Sequence, residues 1–314
     1  MLSYIARRLL WTPFLLLIVS LLVFTLGHYG PGDPVEVLLG QRMNREVAER
    51  IRHERGLDRP FWVQYRDYVG NVLQGDLGES FKYPGQPVRP LILQKMWISA
   101  QLGIAAIAIA LSVGLPLGLL AALRQGTWLD TAIVSFTLLF MSLPVFITAP
   151  LLILVFALKL DVVPTSGWNG LFSSSIVLPA LVMGLPGTAV IARLLRASTL
   201  DVLGQDYIRT ARAKGLPELL VQRRHVLRNA LTPVVTVVGL SLGTLAEGAF
   251  ITETLFGIPG VGRLALDSIF ARDYPVIMAI TLIIAASFVA ANMLVDIAYG
   301  FLDPRIRRSA GAGR

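Results

Sequence analysis

Between two long apolar runs the chain carries a basic segment, residues 206–233, that reads DYIRTARAKGLPELLVQRRHVLRNALTP. Arg209, Arg212, Lys214, Arg223, Arg224 and Arg228 supply its positive charge. A charged side chain at the centre of a bilayer costs roughly 2.5–3.5 kcal/mol on insertion scales, so this stretch belongs in water. Short loops rich in Lys and Arg stay on the cytoplasmic side, and the segment therefore sets the topology of its neighbours. Its local pattern is helix, turn, helix. Tyr207, Ile208 and Ala211 share one face. Gly215 follows the last turn, where a positive φ is often required. Pro217 suits the first position of a second helix, and Glu218 complements the positive end of its dipole. Leu219, Leu220, Val226 and Leu227 then carry the apolar pattern toward Pro233. Two readings stand at this point. The segment is an orientation signal, or it is a docking element for a soluble cytoplasmic partner; two capped helices are more structure than orientation needs.

The surrounding composition is that of a polytopic membrane protein. Of 314 residues, 54% are hydrophobic and 15% charged, against about 25% charged in soluble domains. The net charge of +8 lies on loops of one side, which is the pattern of membrane orientation rather than of nucleic-acid binding. The absence of cysteine excludes disulfides, thiolate metal sites and Cys nucleophiles. His28, His53 and His225 are too scattered in sequence to suggest a metal cluster.

Six spans are expected, at residues 9–27, 98–123, 130–158, 175–195, 232–251 and 275–299. The first follows Arg7 and Arg8, is followed by no small-residue cleavage motif, and is read as an uncleaved span with a cytoplasmic N-terminus. Residues 29–97 form a long polar segment whose charges nearly cancel, read as a small extracytoplasmic subdomain. A helix is expected over 44–55, ended by Gly56. Phe61, Trp62, Tyr65 and Tyr68 give an aromatic helical face, read as packing against the membrane surface, with direct solute contact as the other reading. Fifteen Lys and Arg residues lie in the segments read as cytoplasmic and three, Lys159, Arg263 and Arg272, in the short outer loops. Both termini are thus expected in the cytoplasm. Pro116, Pro144, Pro150, Pro179 and Pro186 fall within spans and imply kinks. The organisation expected is 1–28, 29–97 and a core of 98–314 that contains a cytoplasmic loop, 196–232.

Few motifs carry chemistry. No Gly-rich phosphate loop with its Lys and Ser or Thr occurs. Gly239-Leu240-Ser241-Leu242-Gly243 spells a nucleophile elbow, but within an apolar run rather than a strand-to-helix turn. The same residues, and Gly114 with Gly118, have the spacing of close helix contacts. Two ionisable residues fall within spans. Asp296 lies near an interface, where anchoring or helix pairing is the expected role. Glu247 lies deeper and is either pathway-facing or a partner for a polar group on another helix.

These residues resemble a known family. Residues 207–216, YIRTARAKGL, followed by 225–233, HVLRNALTP, are similar to the cytoplasmic loop of ABC-importer permeases, and within them to the dipeptide/oligopeptide/nickel branch. Residues 4–10, Pro31-Gly32-Asp33-Pro34, Gly56-Leu57-Asp58-Arg59-Pro60, residues 75–80, 253–262 and Arg272-Asp273-Tyr274-Pro275 resemble the B-type subunit of that branch. The general importer motif has Glu-Ala-Ala before the Gly. Here Arg209-Thr210-Ala211 stands there, so only Ala211 and Gly215 match, as the peptide branch leads one to expect.

The resemblance implies an all-α, type I ABC-importer permease with six transmembrane helices, in the bacterial inner membrane. It implies a homologous permease as heterodimer partner, two cytoplasmic ABC ATPases and an extracytoplasmic solute-binding protein. The chain itself is expected to be no enzyme and to bind no cofactor, with ATP and Mg held by the ATPases. Arg209, Ala211, Arg212, Lys214, Gly215, Leu216, Pro217, Leu219 and Leu220 are then the ATPase-coupling residues, with Leu216, Leu219 and Leu220 entering an ATPase cleft and Arg212 and Lys214 at its rim. Glu247 and Ser241 are the candidates for the translocation pathway. An ion- or proton-coupled carrier is the alternative function, although the two halves of the chain show no repeat. A membrane enzyme lacks a cluster of catalytic groups. Di- and oligopeptides, glutathione-like compounds, nickel chelates and some sugars all remain as solutes.

Overall fold

The computed structural model describes residues 2–30, 45–54, 56–243, 245 and 248–302. Among these residues the secondary structure is helical apart from one isolated antiparallel bridge, Glu79 to Pro87. In chain order the helices are α1, Leu2–Tyr29; α2, Arg45–Glu54; α3, Phe61–Leu73; α4, Val88–Leu123; and α5, Trp128–Ser142. Then come α6, Val145–Leu152, continued by a π-helical turn, Ile153–Lys159, and α7, Val177–Leu203, entered through the 3₁₀ turn Ser174–Ile176. The central segment folds as α8, Asp206–Ala213, and α9, Glu218–Ala230, whose middle, Val221–Leu227, is π-helical. The rest forms α10, Thr232–Gly243; α11, Phe250–Leu255; α12, Val261–Ala271; and α13, Tyr274–Leu302.

Four stretches are long and apolar enough to cross a bilayer unbroken: Leu10–Tyr29, Val88–Leu123, Ser174–Leu203 and Tyr274–Met293. Two bent pairs, Trp128–Ser142 with Val145–Lys159 and Glu218–Ala230 with Thr232–Leu242, bring the number to six if each is one span. The expected span at 130–158 is therefore not one rod: its halves meet at 103°. Leu143 explains the break. It precedes Pro144 and takes an extended conformation, φ −84°, ψ 118°, because a residue before proline is pushed out of the helical region. Within the expected span at 232–251 two helices are described. The first is described to Gly243, and Phe250 opens the second. Glu247 lies outside the described residues. Conversely α4 begins at Val88, ten residues before the span expected at 98. At 36 residues it is about 54 Å long, well beyond a hydrocarbon core of about 30 Å. Arg89 and Lys95 lie near its N-terminus.

The chain forms two compact units. One comprises residues 1–99, 246–250 and 259–314. Its core joins Val88 and Ile92 of α4, Val261, Leu264 and Ala265 of α12, and Val276, Ala279 and Ile280 of α13. A buried carboxylate fixes the hairpin-like loop before α4 to this core. Asp273 accepts hydrogen bonds from the Ser80 hydroxyl, from the Phe81 N–H at 3.0 Å and from the Lys82 N–H at 3.2 Å. Ser99 on α4 accepts the Val261 N–H at 2.9 Å, so α12 starts on a fixed point. Part of the aromatic face of α3 packs on α1: Phe61, Tyr65 and Tyr68 surround Phe24, with ring centroids 5.2–5.4 Å away. The Tyr65 hydroxyl lies 2.9 Å from that of Ser20 and donates to the Leu17 carbonyl at 3.2 Å. Ser20 and Leu17 are both well inside the apolar stretch Leu10–Tyr29.

The other unit comprises residues 100–245 and 251–258. Here α4 and α7 meet through small residues. A Cβ on Gly118 would lie 2.5 Å from the Ala192 carbonyl oxygen, and one on Gly114 3.0 Å from that of Thr188. The expected close contact at this Gly-x-x-x-Gly spacing is thus present, because only hydrogen fits between the backbones. Around it, Ala110, Ile191, Leu195, Ala230 and Val234 form the core that receives α9 and α10.

Candidate coupling surface

The central segment is built as its sequence predicts. In α8 the apolar face turns inward: Ile208 and Ala211 are buried with Val221 and Val226 of α9, and Val202, Leu203 and Leu216 close the cluster. The two helices are joined by a tight cap. The Gly215 N–H donates to the Arg212 carbonyl at 2.9 Å and the Leu216 N–H to that of Ala211 at 3.4 Å. Gly215 has φ +74°. This is the paired hydrogen bonding of a Schellman cap, whose left-handed residue is usually glycine because a side chain there is strained. Pro217 precedes α9 with φ −55°, a value its ring imposes at no cost.

Electrostatics reinforce the turn. Arg212 clasps Glu218 with two hydrogen bonds, Nε to Oε2 at 3.1 Å and Nη2 to Oε1 at 2.8 Å. This bond holds the Glu218 carboxyl below the usual glutamate value. Arg209 pairs with Asp206 at 3.3 Å. On the other side, the Asn229 amide donates to the Tyr207 hydroxyl at 3.1 Å. What remains outside is an apolar pair, Leu219 and Leu220, 59% and 39% exposed, flanked by Lys214, Gly215 and Pro217 and by the exposed cations Arg209, Arg223, Arg224 and Arg228.

The sequence-expected residues thus divide. Ala211 and Leu216 hold the helix pair together from inside. Arg209 and Arg212 are engaged in ion pairs. Lys214, Gly215, Pro217, Leu219 and Leu220 form the outward surface. Ser241 sits in α10 with its hydroxyl on the Val237 carbonyl at 2.9 Å. It has no strand-to-helix turn around it, so the nucleophile-elbow spelling carries no catalysis. Glu247 and Asp296 have no described side chains.

Sequence reasoning missed one pair. Arg196 on α7 grips Asp130 in the first turn of α5, Nε to Oδ1 and Nη2 to Oδ2, both at 2.7 Å. The Gly126 N–H adds a bond to Asp130 at 3.1 Å. The Asp130 residue is buried. Bidentate guanidinium–carboxylate pairs are among the strongest side-chain hydrogen bonds. This one ties the first half of the bent pair to the helix that runs directly into α8. The signal lay in Asp130 directly after the turn, but 66 residues separate the partners.

The arrangement is that of a membrane permease: apolar spanning helices, no catalytic cluster among the described residues, and one structured, cationic helix pair with exposed leucines. Comparison with known proteins gives the family. Residues 114–308 match the model of the binding-protein-dependent transport system inner membrane component, and residues 1–92 match the N-terminal model of the same membrane component. The chain belongs to this family and is a multi-pass inner-membrane permease subunit of its peptide branch. It is 39% identical to the dipeptide transport system permease protein DppB of Escherichia coli K12, over 98% of this chain and 99% of that one. It is 40% identical to the glutathione transport system permease protein GsiC of the same strain, with the same coverage. The di/tripeptide permease DppB of Pseudomonas aeruginosa is also 40% identical, over 98% and 99%. Among solved structures, the MetNI methionine ABC transporter in inward-facing form matches with a TM-score of 0.52 at 16% identity, over 66% of this chain and 95% of that one. That likeness concerns the fold. Nothing in these matches favours an ion- or proton-coupled carrier.

Proposed function

We propose that this chain is half of the translocation pathway of an ATP-driven importer of di- or oligopeptides, driven by cytoplasmic ATPases that dock on α8 and α9. The single observation that carries the docking is the exposed Leu219–Leu220 pair on a helix pair rigidified by the Gly215 cap and the Arg212–Glu218 clasp. Two exposed leucines in a cationic surrounding suit an apolar cleft with an acidic rim, where the charges steer and register the partner. The peptide solute follows the relatives, two of which are named for di- or tripeptides and one for glutathione.

In this reading Trp128–Lys159 as one bent span and α10 as another complete six spans, while α9 stays in the cytoplasm, with residues 29–97 as the extracytoplasmic subdomain, 98–314 as the core and both termini cytoplasmic. A homologous permease forms the other half, and a solute-binding protein delivers peptide from outside. ATP and Mg are held by the two ATPases, and this chain binds neither. Closure of the ATPases draws the two coupling segments together. The movement passes from α8 into α7 and, through Arg196 and Asp130, into α5. The spans rock outward to receive solute, and hydrolysis resets them. The test is co-purification of the ATPases with the membrane subunits. Leu219→Asp with Leu220→Asp is expected to abolish it, since a buried carboxylate without a partner is costly, while leaving the permease pair assembled. Undiminished co-purification rejects the docking site.

A further inference from the structure

Two buried clusters hold α9 from opposite ends. Val221 and Val226, both fully buried, pack with Ile208 and Ala211 of α8. Ala230, also fully buried, packs with Ile191 and Leu195 of α7 and Ala110 of α4, and Leu227 joins the same cluster. The π-helical turn Val221–Leu227 lies between the two anchorages. It is what lets both valines reach α8. In an α-helix of 3.6 residues per turn, side chains five positions apart point about 140° away from each other. A π-helix bonds residue i to residue i+5 and so stacks Val221 and Val226 on one face. In an α-helix the neighbour of Val221 on that face would instead be His225, four positions on. His225 is half-buried beside it. The segment therefore holds two registers for one face, Val221 with Val226 or Val221 with His225. The wide turn is also tied to α8 from outside. The Asn229 amide, just past it, donates to the His225 carbonyl at 2.8 Å and to the Tyr207 hydroxyl at 3.1 Å.

We propose that this turn is the switch through which docked ATPases act on the permease: it is π-helical, as in this structure, before the ATPases close, and tightens to an α-turn when they close. The proposal rests on the docking reading above and gives that site its moving part. Tightening brings His225 under Val221 and carries Val226 out of the α8 cluster. It also turns Leu219 and Leu220 about the helix axis, by roughly a quarter turn relative to Ala230. A partner that holds the leucines is thereby geared to the core that holds Ala230. Each register has its own gain. The π form buries a second valine against α8, and the α form regains the regular bonds from i to i+4. Packed elements with two such arrangements move between them as discrete states rather than deform continuously.

The test uses the whole importer, with second permease, ATPases and binding protein, in nanodiscs. A turn closed from i to i+5 holds one residue more than a turn closed from i to i+4. Deleting Gln222 therefore places Val221 and Val226 four apart, where an ordinary α-helix buries both and the second register is gone. If the wide turn is a passive fit, this variant is a regularised helix and couples as wild type does. The proposal predicts that it co-purifies with the ATPases and melts no lower than wild type, yet its ATP hydrolysis no longer responds to loaded binding protein. The chain has no cysteine, so Val226→Cys and Val221→Cys each place a single thiol in it. Their reaction with a maleimide, read by mass on this subunit, is compared without nucleotide and with Mg-ATP and vanadate. Val226→Cys is expected to react severalfold faster in the vanadate-trapped state, and Val221→Cys to stay protected in both. Wild-type stimulation in the deletion variant, or equal protection of Val226→Cys in the two states, overturns the switch. Loss of ATPase co-purification from the deletion variant alone also overturns it, since the turn then shapes the docking surface, and the docking reading stands. If the ATPases fail to co-purify with wild type, the docking reading itself fails and the switch falls with it.

Discussion

At the scale of the residue, Gly215 and Asp130 show how differently two single positions were legible. Gly215 announces itself: a glycine after an amphipathic turn and before a proline predicts a left-handed cap, and the backbone is at φ +74° with both capping hydrogen bonds made. A β-branched residue there costs roughly 1–2 kcal/mol of local strain. Gly215→Val is therefore expected to cut binding-protein-stimulated hydrolysis severalfold, and Gly215→Asn, which tolerates this region, to retain most of it; equal activity of the two would deny the cap its role. Asp130 gave no such notice. Its worth comes from Arg196, far along the chain, and spacing alone cannot encode a contact made by packing α5 on α7. Asp130→Asn leaves the Arg196 guanidinium without its counter-charge, at a cost of about 1–3 kcal/mol. Thermal unfolding of the purified complex should shift down accordingly. The exchanged pair Asp130→Arg with Arg196→Asp should recover part of the loss, whereas the single changes should not.

At the scale of the element, the apolar periodicities located the helices but not their continuity. Residues 130–158 have the length and hydropathy of one span, and a hydropathy window cannot see that Leu143 must leave the helix before Pro144. The prolines were visible; that they produce a break rather than a kink depends on the backbone at one residue. The α4–α7 contact was more legible, since Gly114 and Gly118 have the right spacing and no other role. Gly118→Leu, meeting the Ala192 carbonyl at 2.5 Å with its first carbon, is expected to prevent assembly of a stable permease. Gly70→Ala on α3, where a Cβ meets nothing within 4 Å, should be neutral or slightly stabilising. Recovery of folded protein after detergent extraction separates the two. The α8–α9 turn should also respond to acid. The Glu218 carboxyl is held below its ordinary value of 4.5 by the Arg212 bond. A carboxylate with a lowered value contributes stability above its ordinary value and loses it as pH falls through the lowered one. The protection of amides 212–222 against exchange, taken relative to the intrinsic exchange rate at each pH, should thus be constant near neutral pH and fall in acid. In Glu218→Gln that acid step should be missing.

At the scale of the whole molecule, class and family were readable because they rest on properties summed over many residues. Hydropathy, the one-sided distribution of Lys and Arg, and a run of family-like segments along nearly the full chain all point the same way. The aromatic face of α3 was readable as a packing surface but not as one that descends along α1, because its partner Phe24 lies within what the sequence presents as a uniform apolar run. Of the pathway candidates named from sequence, the Ser241 hydroxyl donates to the Val237 carbonyl of its own helix and Glu247 lies outside the described residues.

The central claim is that α8 and α9 couple this permease to ATP hydrolysis, and one measurement bears on it most directly. It is ATP hydrolysis and peptide uptake by the complete importer in proteoliposomes, with and without loaded binding protein, for wild type and for Leu219→Asp. The account predicts that loaded binding protein stimulates wild type, and that the variant loses both stimulation and uptake while the permease pair remains assembled. Uptake by the variant at the wild-type rate, or uptake by wild type in a proton gradient with no ATPase present, would contradict it.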